Sequence, residues 1–277
     1  MGIALDHVFF TYGKRKQAFL ALDDLSLTIP IGVTTALIGA TGSGKTTLIQ
    51  LLNGLFKPSS GTVEVLDYIF TKKAKYKKLS LLRRKVGLLF QFSENQLFED
   101  SIIKDVMFGP LNFKYKKDVA RKMAEDALKI VGLDESYYDR SPFTLSGGEK
   151  RRVALAGVLA IEPEIIILDE PTSSLDLEGQ KMIRELLSTF KNLGKTVIVV
   201  THDYKLVLAS CDEVIKLQHG KLAFQCRKDK FFTLLDEQEL PDYYKLKRLL
   251  TKKEINLPYQ ELSSNEIITV MRKAKHE

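Results

Sequence analysis

The sequence holds only two cysteines, Cys211 and Cys226. They are too few and wrongly spaced for a disulfide framework or a thiolate metal site, so both read as small buried hydrophobes in a reducing compartment. No run approaches the roughly 18 consecutive apolar residues that cross a bilayer. The apolar runs are short, such as Ile165-Ile166-Ile167-Leu168. If a membrane is involved, another chain spans it. The opening residues, Met1-Gly2-Ile3-Ala4-Leu5-Asp6, lack the basic-then-apolar layout of a secretory signal and read as the start of a strand, which leads to the expectation of a cytoplasmic location.

What is present is ordinary for a folded chain. Over 277 residues, 44 % hydrophobic and 28 % charged side chains exclude disorder along most of the length and suffice for one large core or two modest ones. The net charge of +7 suits nucleic acid, anionic lipid or a phosphorylated ligand, and does not choose among them.

Ile3 to Phe10 alternates apolar and polar residues, breaks at Gly13 and resumes over Leu25 to Ile29 before Pro30, the pattern of an antiparallel β edge. An apolar strand, Thr35 to Ile38, leads through a glycine-rich turn into a helix from Lys45 to about Asn53, stopped by Gly54. Strand, loop and helix in this order open an α/β nucleotide fold. After the turn Lys57 to Gly61 come a short strand (Thr62 to Leu66), a basic run from Lys72 to Lys85 and a strand from Val86 to Phe90; the region from Glu94 to Leu159 reads mainly helical. Apolar strands at Ile165 to Leu168 and Thr196 to Val200, of the kind buried in parallel sheets, flank a helix near Glu178 to Asn192 whose Ile183, Leu186 and Leu187 have helical spacing. Then the character changes. Pro241 opens a helix over Tyr243 to Lys253, Pro258 interrupts, and Ser263-Ser264-Asn265-Glu266 supplies a capping box for a last amphipathic helix. The expected division is 1–227 for the main domain, including a helical subdomain near 94–158, and 228–277 for a helical extension.

Gly39-Ala40-Thr41-Gly42-Ser43-Gly44-Lys45-Thr46 fits the pattern G-x-x-x-x-G-K-[ST]. Glycines let backbone N–H groups curl round phosphates, and the following helix directs its positive end at them. Lys45 then reaches the β- and γ-phosphates of ATP and Thr46 meets Mg²⁺, with Thr47 completing the ATP-binding segment. Ile165 to Leu168 ends in Asp169-Glu170, at a sheet's C-terminal edge where α/β proteins bind ligands. Asp169 is expected on Mg²⁺ and Glu170 on the attacking water. These motifs alone define a P-loop NTPase.

Leu145-Ser146-Gly147-Gly148-Glu149 precedes an apolar-periodic helix, Arg151 to Leu159. A serine hydroxyl and glycine N–H groups at a helix N-terminus make a second phosphate-binding surface. One nucleotide occupies the P-loop, so the second surface serves a nucleotide held by another subunit.

Here a family resemblance enters. Leu145 to Glu149 resembles the signature of ABC ATPases, and the P-loop and the Asp169-Glu170 pair stand in that family's order. The resemblance implies an α/β P-loop core with an antiparallel β subdomain, a helical signature subdomain and, here, a small helical C-terminal appendage. It also implies ATP hydrolysis with Mg²⁺. By it, Gln91 is the glutamine that senses Mg²⁺ and couples to the transport subunit, Ser173-Ser174-Leu175-Asp176 is the D-loop crossing the dimer interface, and His202, after the strand Thr196 to Val200, contacts the γ-phosphate. Tyr12 stands where the family stacks a ring on adenine, worth about 1 kcal/mol; a hairpin tyrosine packed on the β edge is the other reading.

Gln91 to Glu99, Phe108-Gly109-Pro110, Asp139 to Phe143 and the helix Arg151 to Ala160 resemble a narrower group, the ATPases of energy-coupling factor transporters, and favour the second of its two paralogues. The implied partners are the first paralogue, giving a heterodimer with a homodimer as alternative, a transmembrane coupling subunit and substrate-binding membrane subunits. The implied place is peripheral, on the cytoplasmic face of the cell membrane. Glu94, Glu99 and Asp100 read either as receivers of arginines from the transmembrane subunit or as a solvated acidic loop. In the extension, Leu246, Leu249, Leu250, Ile267, Ile268 and Met271 form an apolar face that serves ATPase pairing or folds on its own chain. The group often has Gln for Glu149, Ala-Gly for Ser173-Ser174 and Pro for Ser93; none of these departures removes a catalytic group.

Two rivals remain. A soluble ABC ATPase acting on nucleic acid or ribosomes would use the basic run, but such proteins usually carry paired ABC domains or a long coiled-coil insert, and neither is present. A non-catalytic ATP-binding scaffold is opposed by the intact Glu170 and His202. The run from Lys72 to Lys85 reads first as a solvated face, then as a patch for anionic lipid at about 1 kcal/mol per charge, and last as a nucleic-acid contact.

Overall fold

The computed structural model describes residues 2–13, 17–173, 175–251, 255, 257 and 264–273. Ser174, Pro258 and Ser263 lie outside them. The chain divides into two units, Met1–Gln225 and Cys226–Glu277.

In the first unit, β1 (Ile3–Tyr12) and β2 (Phe19–Ile29) form the expected antiparallel edge, paired from Ile3 opposite Ile29 to Tyr12 opposite Phe19 with shifts of register between Leu5 and Val8, Val8 and Phe10, and Phe10 and Thr11. With β4 (Ser60–Val65) and β5 (Tyr68–Phe70) they make a four-stranded sheet in the order β2-β1-β4-β5. The second sheet combines β3 (Thr34–Ile38), β6 (Val86–Leu89), β7 (Ile165–Asp169), β8 (Thr196–Val200), β9 (Glu213–Gln218) and β10 (Lys221–Arg227), in the order β10-β9-β3-β8-β7-β6. The pairs β3–β8, β3–β9, β6–β7 and β7–β8 are parallel.

Every residue of β3, β7 and β8 is buried, which explains their unbroken apolar runs. Alternate residues serve opposite faces. Ile166, Leu168, Val197 and Val199 join one core, and Ile165, Ile167, Ile198 and Val200 the other. Parallel strands bring their C-terminal ends to one edge, so the residues after Ile38, Leu89, Leu168 and Val200 meet there.

The first core also holds α3 (Ile102–Asn112), α4 (Lys117–Ile130) and α5 (Gly147–Leu159). Ala120, Ala124, Ala127 and Leu128 give α4 a buried stripe at helical spacing. The second core holds α1 (Lys45–Leu52) and α2 (Tyr76–Lys85), which lies within the basic run. Only Leu79 and Leu82 of α2 are buried, so its charge hides the helical period. The sequence reading also missed β5, the strands β9 and β10, and α7 (Tyr204–Ser210). Between β7 and β8 runs α6 (Leu177–Asn192), which buries Ile183, Leu186, Leu187 and Phe190.

In the second unit lie α8 (Phe231–Leu234), α9 (Asp242–Thr251) and α10 (Ser264–Lys273). Phe232 stacks on Tyr244 with ring centroids 3.6 Å apart, and Arg248 donates to the carbonyls of Phe232 at 2.6 Å and Leu235 at 3.2 Å. Leu250 is buried, while Leu249 and Ile268 are exposed. Among the described residues, no helix is long and apolar enough to cross a membrane.

Candidate functional site

The loop after β3 needs glycine at both ends. Gly39 has φ 143°, and a Cβ there would stand 2.3 Å from the Leu217 carbonyl oxygen; Gly44 has φ 103°, with its Cβ 2.7 Å from that of Ala21. Only a residue without a side chain fits such backbone at such range. Gly220, in the turn between β9 and β10, donates its N–H to the Ser43 carbonyl at 3.1 Å and so backs the loop. Lys45 donates to the carbonyls of Gly39 at 2.6 Å and Ala40 at 2.9 Å. Burial pushes its pKa down against the opposing charges of Glu170 and Asp169. The Ser43 hydroxyl is buried without a hydrogen-bond partner among the described residues.

A cleft of about 340 Å³ opens beside this loop, lined by Thr41, Gly42, Gly44 to Thr47, Gln91, Asp169, Glu170 and His202. Asp169 closes β7 and is buried. Its carboxyl is pushed up to about 6, first by burial and then by the charge of Glu170, with Lys45 opposing. Glu170 follows in left-handed backbone, φ 50°. Its N–H donates to the Val200 carbonyl at 2.9 Å and its own carbonyl accepts from Ser173 N–H at 3.2 Å. Its carboxylate lies 3.0 Å from His202 Nδ1.

Tyr12 packs on the β edge. Its hydroxyl shares a 3.1 Å hydrogen bond with Thr47 Oγ1, and its ring stands edge-on to Phe10 and Phe56 with centroids 4.8 Å and 5.7 Å away. Phe19, its cross-strand neighbour, lines the cleft. Sequence reasoning missed Phe19, although a hairpin that places one aromatic at the site carries its paired residue along. Gly220 was missed too, and nothing local in the sequence marks it.

Leu145 is buried ahead of α5. Ser146 caps the helix: its Oγ accepts from Glu149 N–H at 3.3 Å, and Glu149 Oε2 accepts from Ser146 N–H at 2.9 Å and from its hydroxyl at 2.8 Å. Tyr137 OH donates to Glu149 Oε1 at 3.0 Å. The Ser146 N–H and hydroxyl and this phenol hold the Glu149 carboxyl below its usual range. Ser146, Gly148 and Glu149 line a separate cavity with Leu175 and Asp176. Asp176 caps α6 by accepting from Gly179 N–H at 2.8 Å. An added Cβ at Gly147 or Gly148 would meet nothing within 4 Å.

A phosphate-cradling loop at the C-terminal edge of a parallel sheet, two carboxylates at the end of the adjoining strand, and a capped glycine helix start in a helical subdomain define a P-loop ATPase of the ABC type. The profile of the ABC transporter family matches residues 22–173. Over 226 residues, 80 % of either chain, the sequence is 51 % identical to the energy-coupling factor transporter ATP-binding protein EcfA2 of Streptococcus pneumoniae serotype 2 (strain D39 / NCTC 7466). CbiO1 of Clostridium perfringens, part of the ABC transporter complex cbiONQ, superposes with a TM-score of 0.74 at 36 % identity, covering 91 % of this chain and 98 % of its own. The ATP-binding cassette MJ0796, solved as a dimer in a post-hydrolysis state bound to ADP and Pi, gives 0.73 at 33 % identity, covering 82 % and 98 %.

The chain belongs to the ABC transporter family and, within it, to the ATP-binding proteins of energy-coupling factor transporters. It binds and hydrolyses ATP. The soluble, nucleic-acid-directed reading is not favoured by these relatives.

Proposed function

We propose that this chain is one half of a nucleotide-sandwich dimer with a paralogous ATPase, docked on a transmembrane coupling subunit at the cytoplasmic face of the cell membrane. Its cycle powers uptake of vitamins or other micronutrients delivered by substrate-binding membrane subunits, and it has no nucleic-acid role. Residues 1–227 carry the ATPase and 228–277 add contacts between ATPases. The observation that carries this reading is the glycine pair at the start of α5. Gly147 and Gly148 have room for side chains within their own chain, so a group from outside supplies the reason for glycine. A phosphate held by the P-loop of another subunit is such a group, and Ser146 with the helix N-terminus suits it.

In its own site, the loop N–H groups and Lys45 bind the β- and γ-phosphates. To do so Lys45 gives up the carbonyls of Gly39 and Ala40 for phosphate oxygens, and the orphaned Ser43 hydroxyl gains an acceptor. Thr46, Gln91 and Asp169 line one cleft and offer a hard oxygen set that fits Mg²⁺. Mg²⁺ held there would neutralise phosphate charge. Glu170 orients the attacking water and accepts its proton, His202 aligns Glu170 and meets the γ-phosphate, and Leu175 and Asp176 meet the other subunit. ATP favours the closed dimer and hydrolysis releases it.

The experiment is affinity purification of the chain from its native membrane, followed by identification of what accompanies it. A paralogous ATPase together with a polytopic membrane protein is the expected result. Ribosomes or DNA without a membrane chain would overturn the proposal.

A further inference from the structure

Arg151, on the second turn of α5, is 6 % exposed and has no part in the site as built so far. Its guanidinium binds two backbone carbonyls: Nη2 donates to Glu170 at 2.7 Å and Nη1 to Ser173 at 2.6 Å. Its Nε is buried without a partner among the described residues, as is Oε2 of Glu94. Glu94 lies in the turn Ser93–Gln96, which packs on α5 just beyond Gln91. The charges of Glu94 and Glu170 support the arginine against the burial that disfavours its charge.

Burying a guanidinium to hold neutral carbonyls is a costly way to fill space. It suits a place where backbone must be fixed by strong, directional donors. Glu170 is such a place. A residue with a β-carbon stays in left-handed backbone, here φ 50°, only where its surroundings over-determine it. The Glu170 N–H is held by β8 and its carboxylate meets His202; its carbonyl is held by Ser173 N–H and by Arg151.

We propose that Arg151 is a positioning residue that fixes the backbone of Glu170 and of Ser173 to the signature helix of the same chain. The aim of Glu170 at its own nucleotide and the placing of Ser146 to Gly148 against the other subunit's nucleotide are thereby set together. The turn that carries Glu94, next to Gln91, packs on the same helix, so the junction links three segments. The proposal rests on the reading of Glu170 as the group that orients water.

The test compares Arg151→Met, Arg151→Lys and Glu170→Gln with the wild-type chain in its assembled complex. Arg151→Met lowers kcat about ten- to hundredfold, the size of one or two lost charge-assisted hydrogen bonds, while KM for ATP stays within about threefold because the P-loop is untouched. In the nucleotide-free chain, amide exchange at Glu170, Ser173 and Leu175 rises about tenfold with that at Gly39 to Thr46 unchanged. Arg151→Lys, which keeps the charge and fewer donors, restores part of both. Should Arg151→Met melt below the assay temperature, Arg151→Lys carries the test, and wild-type kcat and exchange in it overturn the proposal. So does Arg151→Met with wild-type kcat, or with exchange raised throughout the chain and kcat and ATP affinity lost together. Wild-type turnover in Glu170→Gln removes Glu170 from its role and this proposal with it. An inactive Glu170→Gln beside an active Arg151→Met overturns the proposal alone.

Discussion

His202 Nδ1 and the Glu170 carboxylate lie 3.0 Å apart, joining the ends of β8 and β7 across the cleft. The imidazole is largely exposed, whereas the carboxylate is mostly covered, so the histidine is the movable partner. Glu170→Gln is expected to reduce ATP turnover by about 10²–10⁴-fold, the usual contribution of a general base, with ATP affinity near wild type. His202→Ala leaves the carboxylate in place but unaligned, and a smaller loss of kcat follows. Turnover measured beside equilibrium ATP binding checks both; an active Glu170→Gln would remove Glu170 from catalysis.

Asp169 gives a pH-dependent prediction in the nucleotide-free chain. Its carboxyl is raised to about 6 by burial and by Glu170, so the folded chain binds more protons there than the unfolded one. Its contribution to stability is present below about pH 4 and is lost as pH rises through 6. Asp169→Asn, which cannot ionise, is expected to melt a few degrees above wild type at pH 7.5, with the gap closing toward pH 4. Thermal melts in chelator across this range decide it, and a variant melting below wild type at pH 7.5 would contradict the burial argument. ATP with Mg²⁺ then stabilises wild type more than the variant.

How far these groups could be read in advance depended on where their partners lie. Asp169 was legible because β7 is buried on both faces and its apolar run ends at the carboxylates; the P-loop was legible because its glycines, Lys45 and Thr46 fall at fixed spacing within one short stretch. Arg151 was seen only as part of a helix, since the carbonyls that give it meaning belong to Glu170 and Ser173, whose identities say nothing about a donor to their backbone. The helix α2 was hidden by its lysines and arginines, and β9 and β10 mix apolar residues with Lys216, Gln218, Lys221 and Gln225. Tyr12 was placed by family position, and its bond to Thr47 depends on packing that no spacing reveals.

Glu149 carries a negative charge at a surface proposed to receive phosphate. Its three accepted hydrogen bonds, two from Ser146 and one from Tyr137, hold that charge in the helix cap. Glu149→Gln weakens the cap by about 1 kcal/mol or less and removes one like charge, worth about 1 kcal/mol at close range in water. The expected outcome is a slightly less stable chain whose dimer has a KM for ATP lower by about threefold at low salt, the gain fading as ionic strength rises. A KM that does not change with this substitution at any salt would place phosphate farther from Glu149.

Two glycine substitutions separate packing from function. At Gly39, a methyl group meets the Leu217 carbonyl at 2.3 Å in backbone with φ 143°, so Gly39→Ala is expected to cost several kcal/mol and to lower the melting temperature of the chain before any nucleotide is added. At Gly147 the methyl group meets nothing within 4 Å and the residue is the first of α5, where alanine is at least as good a helix former. Gly147→Ala should therefore melt at or slightly above wild type and bind ATP at its own P-loop normally, yet lose nucleotide-dependent dimerisation and most ATPase activity, because the methyl would occupy the proposed approach of the other subunit's phosphate. Melting curves, ATP binding and sedimentation with nucleotide distinguish these effects. A Gly147→Ala chain with full ATPase activity would show that the start of α5 receives no phosphate.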